Sequence, residues 1–312
     1  HDLFMDADFV LLGDDDRYIT DRLKAGKLTF YINERWCKQY PTGLSHLRKI
    51  LSVYKHLGRY QKGEIYHLGM SAYYAADMKR YYARTDNIYN WGYFPAMLSK
   101  EYPEKEDNGL IKLIWSCRFI EWKHPEIAVR LAERLKEAKV NFRLKMLGNG
   151  KLWEETREYF EERGLSDVIE LPGGQPTEKV RHAMEEADIF IHTADFNEGW
   201  GVVLNEAMSS GCAVVVSHAI GSSPLMVRSG ENGYLYQSGN NDDLFNKVKE
   251  LCEDQKKRTE FGKKAFDTIK DEWNPKVAAS RLLKLIDDIN DKGYSDRYSS
   301  GPGSRAQILR ND

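Results

Sequence analysis

The hydrophobic pattern of the back half of the chain alternates between two periods. Short apolar runs at Leu110–Cys117, Phe142–Leu147, Val168–Leu171, Asp188–His192 and Ala213–Ser217 predict strands. Between them lie stretches with helical spacing. In Pro125–Lys139 the residues Ile127, Leu131 and Leu135 stand four apart, and Trp153–Arg163, Thr177–Glu186 and Val202–Ser209 follow. Glycines punctuate the joins: Gly148-Asn-Gly150, Gly164, Pro172-Gly-Gly174 and Gly211. Strands alternating with helices of this length predict right-handed βαβ units and a parallel sheet.

The front half is less regular. Asp8–Leu12, Leu28–Ile32 and Glu64–Leu68 predict strands, and Ser71–Tyr82 a helix. The expected division is a partial front domain over 1–95, a polar, proline-containing linker over 96–109 and a back domain over 110–275. An amphipathic helix over 276–292 is expected to return to the front domain. Residues 293–312, rich in Ser, Gly and Arg, predict a flexible tail.

Charge sharpens this division. Residues 21–84 carry 13 Lys and Arg against 4 acids, whereas the 312 residues together have a formal charge of −2. Such asymmetry suggests two domains with different partners, and the global balance gives no reason to expect nucleic acid. The basic, aromatic-interleaved stretch around Tyr54–Tyr82 reads either as a solvated face or as a contact for an anionic membrane surface or lipid diphosphate. The four cysteines lie far apart without a C-x-x-C pair, which suits a reduced, cytoplasmic chain. No run approaches the length of a membrane-spanning helix. The chain opens with His1 rather than Met, and the expectation is that an upstream stretch belongs to it.

The most informative segment runs from Asn197-Glu198-Gly199-Trp200-Gly201-Val202-Val203 through Glu206 to Gly211. It lies between two predicted strands, at the carboxyl edge of the sheet, where open α/β folds bind ligands. Gly199 and Gly201 allow close backbone approach, and a helix beginning near Gly201 offers free N–H groups to a diphosphate or sugar hydroxyl. At about 1.5 Å per helical residue the carboxylates of Glu198 and Glu206 should stand on the order of 10 Å apart. That suits two rings joined by a diphosphate and is too long for two carboxylates sharing one glycosidic bond. Taken alone, such a pair is more often a cap and a solvated side chain. Arg118 and Lys123 likewise follow a strand and can neutralise a diphosphate, although two cations on a loop are more often merely solvated. Gly148-Asn149-Gly150 and Gly173-Gly174 are, individually, ordinary turns.

Together these segments resemble the retaining, family-4-like glycosyltransferases of the GT-B fold, the glycosyl transferases group 1. The family pattern Gly-Arg-Leu-x-x-x-Lys-Gly corresponds to Cys117-Arg118-Phe119-Ile-Glu-Trp-Lys123-His124. Its Gly-x-Gly corresponds to Gly148-Asn-Gly150, and its later Gly to Gly173. Its Glu-Gly-Phe-Gly-x-x-x-x-Glu-Ala-Met-Ala-x-Gly corresponds to Glu198-Gly-Trp-Gly through Gly211, and Gly-Glu-Asn-Gly-x-Leu to Gly230-Glu-Asn-Gly233-Tyr-Leu235. The likeness covers about residues 85–290.

The resemblance implies an α/β chain of two Rossmann-like domains with parallel sheets, the N-terminal one truncated. It implies transfer of a sugar from a UDP- or GDP-sugar to a glycan or lipid-linked acceptor, with retention of anomeric configuration, in polysaccharide or glycoconjugate synthesis. Arg118 and Lys123 would hold the pyrophosphate, and Glu206 the ribose hydroxyls. Glu198 and the backbone of Gly199–Val203 would hold the transferred sugar, with Gly148 and Asn149 on the neighbouring turn and Gly173 and Gly174 near the base. No cofactor and no metal are expected, because the two cations replace one. Cys117 and His124 depart from the family's glycines. Gly221-Ser-Ser-Pro224-Leu225 lacks the acid of the family's Gly-Gly-x-Pro-Glu. No front-domain catalytic histidine is assigned among His1, His46, His56 and His67. A nucleotide-sugar-binding module without catalysis and an epimerase of the same architecture are the competing expectations.

Overall fold

A computed structural model describes residues 2–13, 19–35, 38, 43–56, 65–81, 85–106 and 108–309. His1, Cys37, Glu64 and Tyr82, named above, lie outside the described residues, as do Asp107 and residues 310–312. The chain forms two compact units, His1–Tyr93 with Lys276–Asp312, and Phe94–Pro275.

The first unit holds four parallel strands, β1 (Phe9–Leu12), β2 (Leu28–Asn33), β3 (Ile65–Gly69) and β4 (Ile88–Asn90), in that order across the sheet. β4 is only three residues long and leaves no period-two signal to read. Alternation along the strands sorts the side chains. Tyr31, Ile65 and Ile88 pack with Ile19, Tyr74, Ala75 and Met78 of the connecting helices. Tyr66 and Tyr89 turn to the other face. There the Tyr66 hydroxyl donates to the Gly293 carbonyl (2.9 Å), just beyond the helix Pro275–Lys292. The Ser295 N–H donates to the Tyr89 hydroxyl (2.9 Å).

The expectation of a flexible tail fails over 293–309. Ser295 and Ser304 are buried. Asp288 accepts from Ser295 Oγ and pairs with Arg297. Residues 303–306 run along β4, with Asn90 N–H donating to Ser304 O (2.8 Å), Gly303 N–H to Asn90 O (2.9 Å) and Ala306 N–H to Ile88 O (2.9 Å). β4 is an edge strand whose main chain offers unpaired N–H and C=O groups. A composition rule weighs side chains and is blind to that demand.

The second unit holds six parallel strands: β5 (Ile111–Ser116), β6 (Phe142–Leu147), β7 (Ile169–Gly173), β8 (Ile189–His192), β9 (Ala213–Ser217) and β10 (Tyr234–Tyr236). Their order is β10-β9-β8-β5-β6-β7, parallel throughout as the sequence predicts. β9 is buried at every position, as a central strand covered on both faces must be. On one face Leu113, Trp115, Leu144 and Val215 meet Val129, Leu135, Leu244 and Val248 of the helices Pro125–Glu137 and Asn241–Glu253. Phe266 and Ile269 of the helix Gln255–Asp271 are buried as well. Of residues 96–109, expected as a linker, the described segment 96–106 is anchored within this unit. Lys105 Nζ donates to the carbonyls of Met184 (3.2 Å), Glu185 and Ser210 (2.8 Å), at the ends of the adjacent helices. Tyr102 packs edge-on against Phe266 at 6.1 Å. Of the four cysteines, Cys117, Cys212 and Cys252 are free thiols.

Candidate functional site

The strand order of the second unit reverses between β5 and β8, which are neighbours in space and far apart in sequence. Loops leaving such neighbours diverge to opposite sides of the sheet, and the gap between them is the natural ligand crevice. Here the loop 117–124 leaves β5 and the loop 193–202 leaves β8. Main-chain and side-chain bonds join the two. Thr193 Oγ1 donates to Lys123 O (2.6 Å) and accepts from Trp115 Nε1 (2.8 Å). Asp195 N–H donates to Trp122 O (3.0 Å).

Across this seam Lys123 Nζ forms an ion pair with Glu198 Oε2, their side chains 9% and 14% exposed. Burial pulls the Lys123 ammonium down, but the adjoining Cys117 and Glu198 outweigh it, and the net shift is upward, so the group stays charged. Arg118 is exposed on the same loop, its guanidinium 6.0 Å from the Trp122 ring centre. Cys117 takes no part as a nucleophile at neutral pH, since burial pushes its thiol up to about 12.

The glycines of the next loop are sterically required. A Cβ on Gly148 (φ +136°) would stand 1.9 Å from Cys117 O, and one on Gly150 would stand 2.2 Å from Phe119 O. That closeness lets Phe119 N–H donate to Asn149 O (2.9 Å). Asn149 Oδ1 in turn accepts from Gly174 N–H (2.7 Å), tying the Gly173-Gly174 turn to the same edge. Three separate turns in the sequence thus become one hydrogen-bonded rim.

Glu198 and Glu206 stand in different surroundings. The helix bearing Glu206 is Val203–Ser209, entered through Gly201 at φ +80°. Burial pushes the Glu206 carboxyl above its ordinary pKa, with Arg181 opposing the shift. Arg181 lies 3.9 Å from it and also donates to Ala96 O and Ser209 Oγ. Gly199 is buried and Val202 is exposed. Val203 opens the helix, half-buried. The Trp200 side chain turns inward, donating from Nε1 to Asn205 Oδ1 (2.8 Å) and packing 5.6 Å from Trp273, so only its main chain serves the loop.

Sequence reasoning missed Arg181, Asp195 and His192. Arg181 sits on a helix 25 residues before Glu206, and no local pattern announces the pairing. His192, at the end of β8, is fully buried with neither ring nitrogen hydrogen-bonded among the described residues. Burial holds its pKa well below the ordinary value, so the ring is neutral. The hydroxyls of Ser222 and Ser223, in the loop that departs from the family pattern, are buried without hydrogen-bond partners among the described residues. No group of three or more His, Cys, Asp or Glu among the described residues is placed to hold a metal ion. A separate depression of about 570 Å³ lies on the flank of β5, β6 and β7 against Lys112, Arg143, Lys145 and Glu170, and touches none of these loops.

The family described as glycosyl transferases group 1 matches residues 100–268, more than half of the chain. The chain is 28% identical over 190 residues to the putative colanic acid biosynthesis glycosyltransferase WcaL of Escherichia coli K12, covering 59% of this chain and 47% of that one. It is 25% identical over 182 residues to the amylovoran biosynthesis glycosyltransferase AmsK of Erwinia amylovora, covering 57% and 44%. The chain thus spans about half the length of these relatives. Its fold is similar to that of Anabaena Alr3699/HepE, solved in complex with UDP, with a TM-score of 0.74 at 14% identity over 92% of this chain and 80% of that one. The two parallel α/β sheets, the switch-point loops and the matched segment lead to one assignment: the chain belongs to the glycosyl transferases group 1 family, with the GT-B fold.

Proposed function

We propose that this chain transfers a sugar from a nucleotide-diphosphate sugar, carried by UDP or GDP, to a glycan or lipid-linked acceptor in cell-surface polysaccharide or glycoconjugate synthesis. The observation that carries the proposal is the Lys123–Glu198 pair at the switch point, beneath a rim of glycines and beside the exposed Arg118. Lys123 and Arg118 take the diphosphate charge as the glycosidic bond breaks, which makes a metal unnecessary. Glu198, released from sole pairing with Lys123, faces the transferred sugar together with the main chain of Gly199–Val203. Glu206 accepts hydrogen bonds from the ribose, and Gly173 and Gly174 flank the base. Anomeric configuration is retained by departure and attack on one face, without a covalent intermediate. The related names, colanic acid and amylovoran biosynthesis, support a polysaccharide setting.

The reaction takes place at the cytoplasmic face of a membrane in this reading. No helix among the described residues is long and apolar enough to cross a bilayer. The helix Gly43–His56 instead exposes Leu44 (77%), Leu47 (56%), Leu51 (67%) and Tyr54 (59%) as one stripe. No acid occurs between Arg35 and Gly63. An apolar stripe flanked by cations suits peripheral contact with an anionic surface.

The test begins with thermal shifts against a panel of nucleotide diphosphates and their sugars. A ligand at a hundred times its dissociation constant adds about 2.7 kcal/mol of stability. Turnover with the stabilising donor is then followed by NMR of the sugar's anomeric proton. Transfer with retention supports the reading. Binding without turnover makes the chain a binding module, an epimerised donor makes it an epimerase, and no stabilisation by any of them refutes the donor site.

A further inference from the structure

His124 occupies a position where the family pattern has glycine, and its backbone is left-handed, φ 50° and ψ 57°. That conformation is unfavourable for a residue with a Cβ and free of strain for glycine. Among the described residues only Lys139 shares a positive φ without being glycine. A histidine held in a backbone that glycine would adopt at no cost needs a compensating interaction through its ring.

The ring has two such interactions. Nε2 lies 3.0 Å from Asp195 Oδ2, and Nδ1 lies 3.1 Å from Glu126 Oε1. With a carboxylate at each nitrogen, both must be donors, and the ring is an imidazolium. Asp195 is itself fixed: its Oδ1 accepts from Asn197 N–H (2.8 Å) and Asn197 Nδ2 (2.9 Å). Its main chain donates to Trp122 O and accepts from Glu198 N–H (3.0 Å). His124 therefore adjoins Lys123 in sequence and holds the residue whose carbonyl holds Glu198.

We propose that His124 is a positioning residue, a charged clamp between the loop carrying Lys123 and the loop carrying Glu198 that sets the geometry of that pair. The proposal rests on the donor-site reading above and adds a group which that reading does not use. A ring bonded to both loops fixes a separation that two flexible side chains cannot fix alone.

The clamp is sensitive to pH. The hydrogen bonds to Asp195 and then Glu126 raise the imidazole to about 9, against the opposing effect of burial. Asp195 is pushed up by burial, but the bonds from His124 and Asn197 bring it below its ordinary value. Of the other groups near the clamp, Lys123 stays charged and burial raises the Tyr236 phenol of β10. His218, edge-on to Phe196, is lowered by burial and titrates below this window. A raised histidine pKa contributes fully below its ordinary value near 6.5, and the contribution disappears as pH rises through about 9.

The experiment compares the parent chain with His124→Gly, His124→Asn and Asp195→Asn between pH 6 and 10. Both His124 substitutions suit a left-handed backbone, so the variants fold. Expected for His124→Gly are a kcat at least tenfold lower at pH 7, donor KM and nucleotide diphosphate affinity within threefold, and loss of the alkaline limb near pH 9. Asp195→Asn should move that limb at least one pH unit lower. Amide hydrogen exchange over 120–124 and 195–199 should quicken at least tenfold in His124→Gly and His124→Asn and stay unchanged elsewhere. Parent-like kcat and an unchanged alkaline limb in His124→Gly overturn the proposal. If the parent transfers no sugar, the donor-site reading has failed instead, and the exchange measurement alone decides whether the clamp exists.

Discussion

Each unit of the chain contains a buried ion pair, and the two are built differently. In the first, Arg35 meets Asp77 through two parallel bonds, Nε to Oδ2 at 3.0 Å and Nη2 to Oδ1 at 2.9 Å. Both side chains are essentially sealed, at 0% and 1% exposure. Tyr73 covers the guanidinium at 5.0 Å, its own phenol pushed up by burial to about 12. In the second unit, the Lys123 ammonium meets the Glu198 carboxylate and both side chains retain some exposure. A planar guanidinium fork matched to a carboxylate is specific and fixed, while an ammonium is a point charge that can change partners. The first pair is a structural lock. The second can share its cation with an incoming anion, which is what a donor site requires. Sheet order reinforces the contrast, because β1 to β4 run without reversal and the second sheet reverses between β5 and β8.

The contrast can be broken most directly at Asp77. Asp77→Asn leaves a sealed guanidinium uncompensated and should cost about 3–5 kcal/mol of stability, read from the urea midpoint. A loss below about 1 kcal/mol would remove Arg35–Asp77 as a lock. Arg118→Ala should do the opposite. Its side chain is exposed, so the melting temperature should hardly move, while the transfer barrier rises by about 2–4 kcal/mol. Steady-state rates at the parent level would end its assignment to the diphosphate.

The two glutamates sharpen the comparison further. In the proposed reading Glu206 holds a part of the donor that does not change during reaction, so its loss should act through binding. Glu206→Gln should weaken nucleotide diphosphate affinity by about 1.5–3 kcal/mol, the value of a hydrogen bond to a charged group. Glu198→Gln should leave that affinity nearly intact and lower kcat. Calorimetry with the bare nucleotide diphosphate separates them, and equal weakening by both variants would mean that the roles are wrongly divided.

The smallest effect belongs to the exposed cations of the helix Gly43–His56. Arg48→Glu and Lys55→Glu should each weaken binding to anionic vesicles by about 1 kcal/mol. Cosedimentation with phosphatidylglycerol-containing vesicles measures it. Unchanged binding, or no binding by the parent, would return this helix to the role of a solvated face.

Much of the second unit was legible because its information is local. Periods of two and of 3.6 residues depend on near neighbours, and they placed β5 to β9 and their helices within a few residues. Gly148 and Gly201 were legible for a similar reason, since a turn that brings one backbone against another needs a residue without a Cβ. β4 and β10, with three residues each, are too short for a period to register. The helix Gly43–His56 was not predicted either, although its apolar positions recur at helical spacing.

By itself, then, the sequence determined the alternation of elements, the parallel sheet of the second unit and the glycine-rich turns that belong at its carboxyl edge. Only the tertiary structure decided which turns meet. His124 and Asp195 are 71 residues apart and Arg181 and Glu206 are 25 apart, yet each pair is joined because sheet order brings together the loops or helices that carry them. The same holds for residues 303–306, which a composition rule reads as a flexible tail and which an open strand edge holds in place. Local propensity fixes backbone angles residue by residue. Strand order is set by the packing of all the crossovers at once, and no window along the chain contains it.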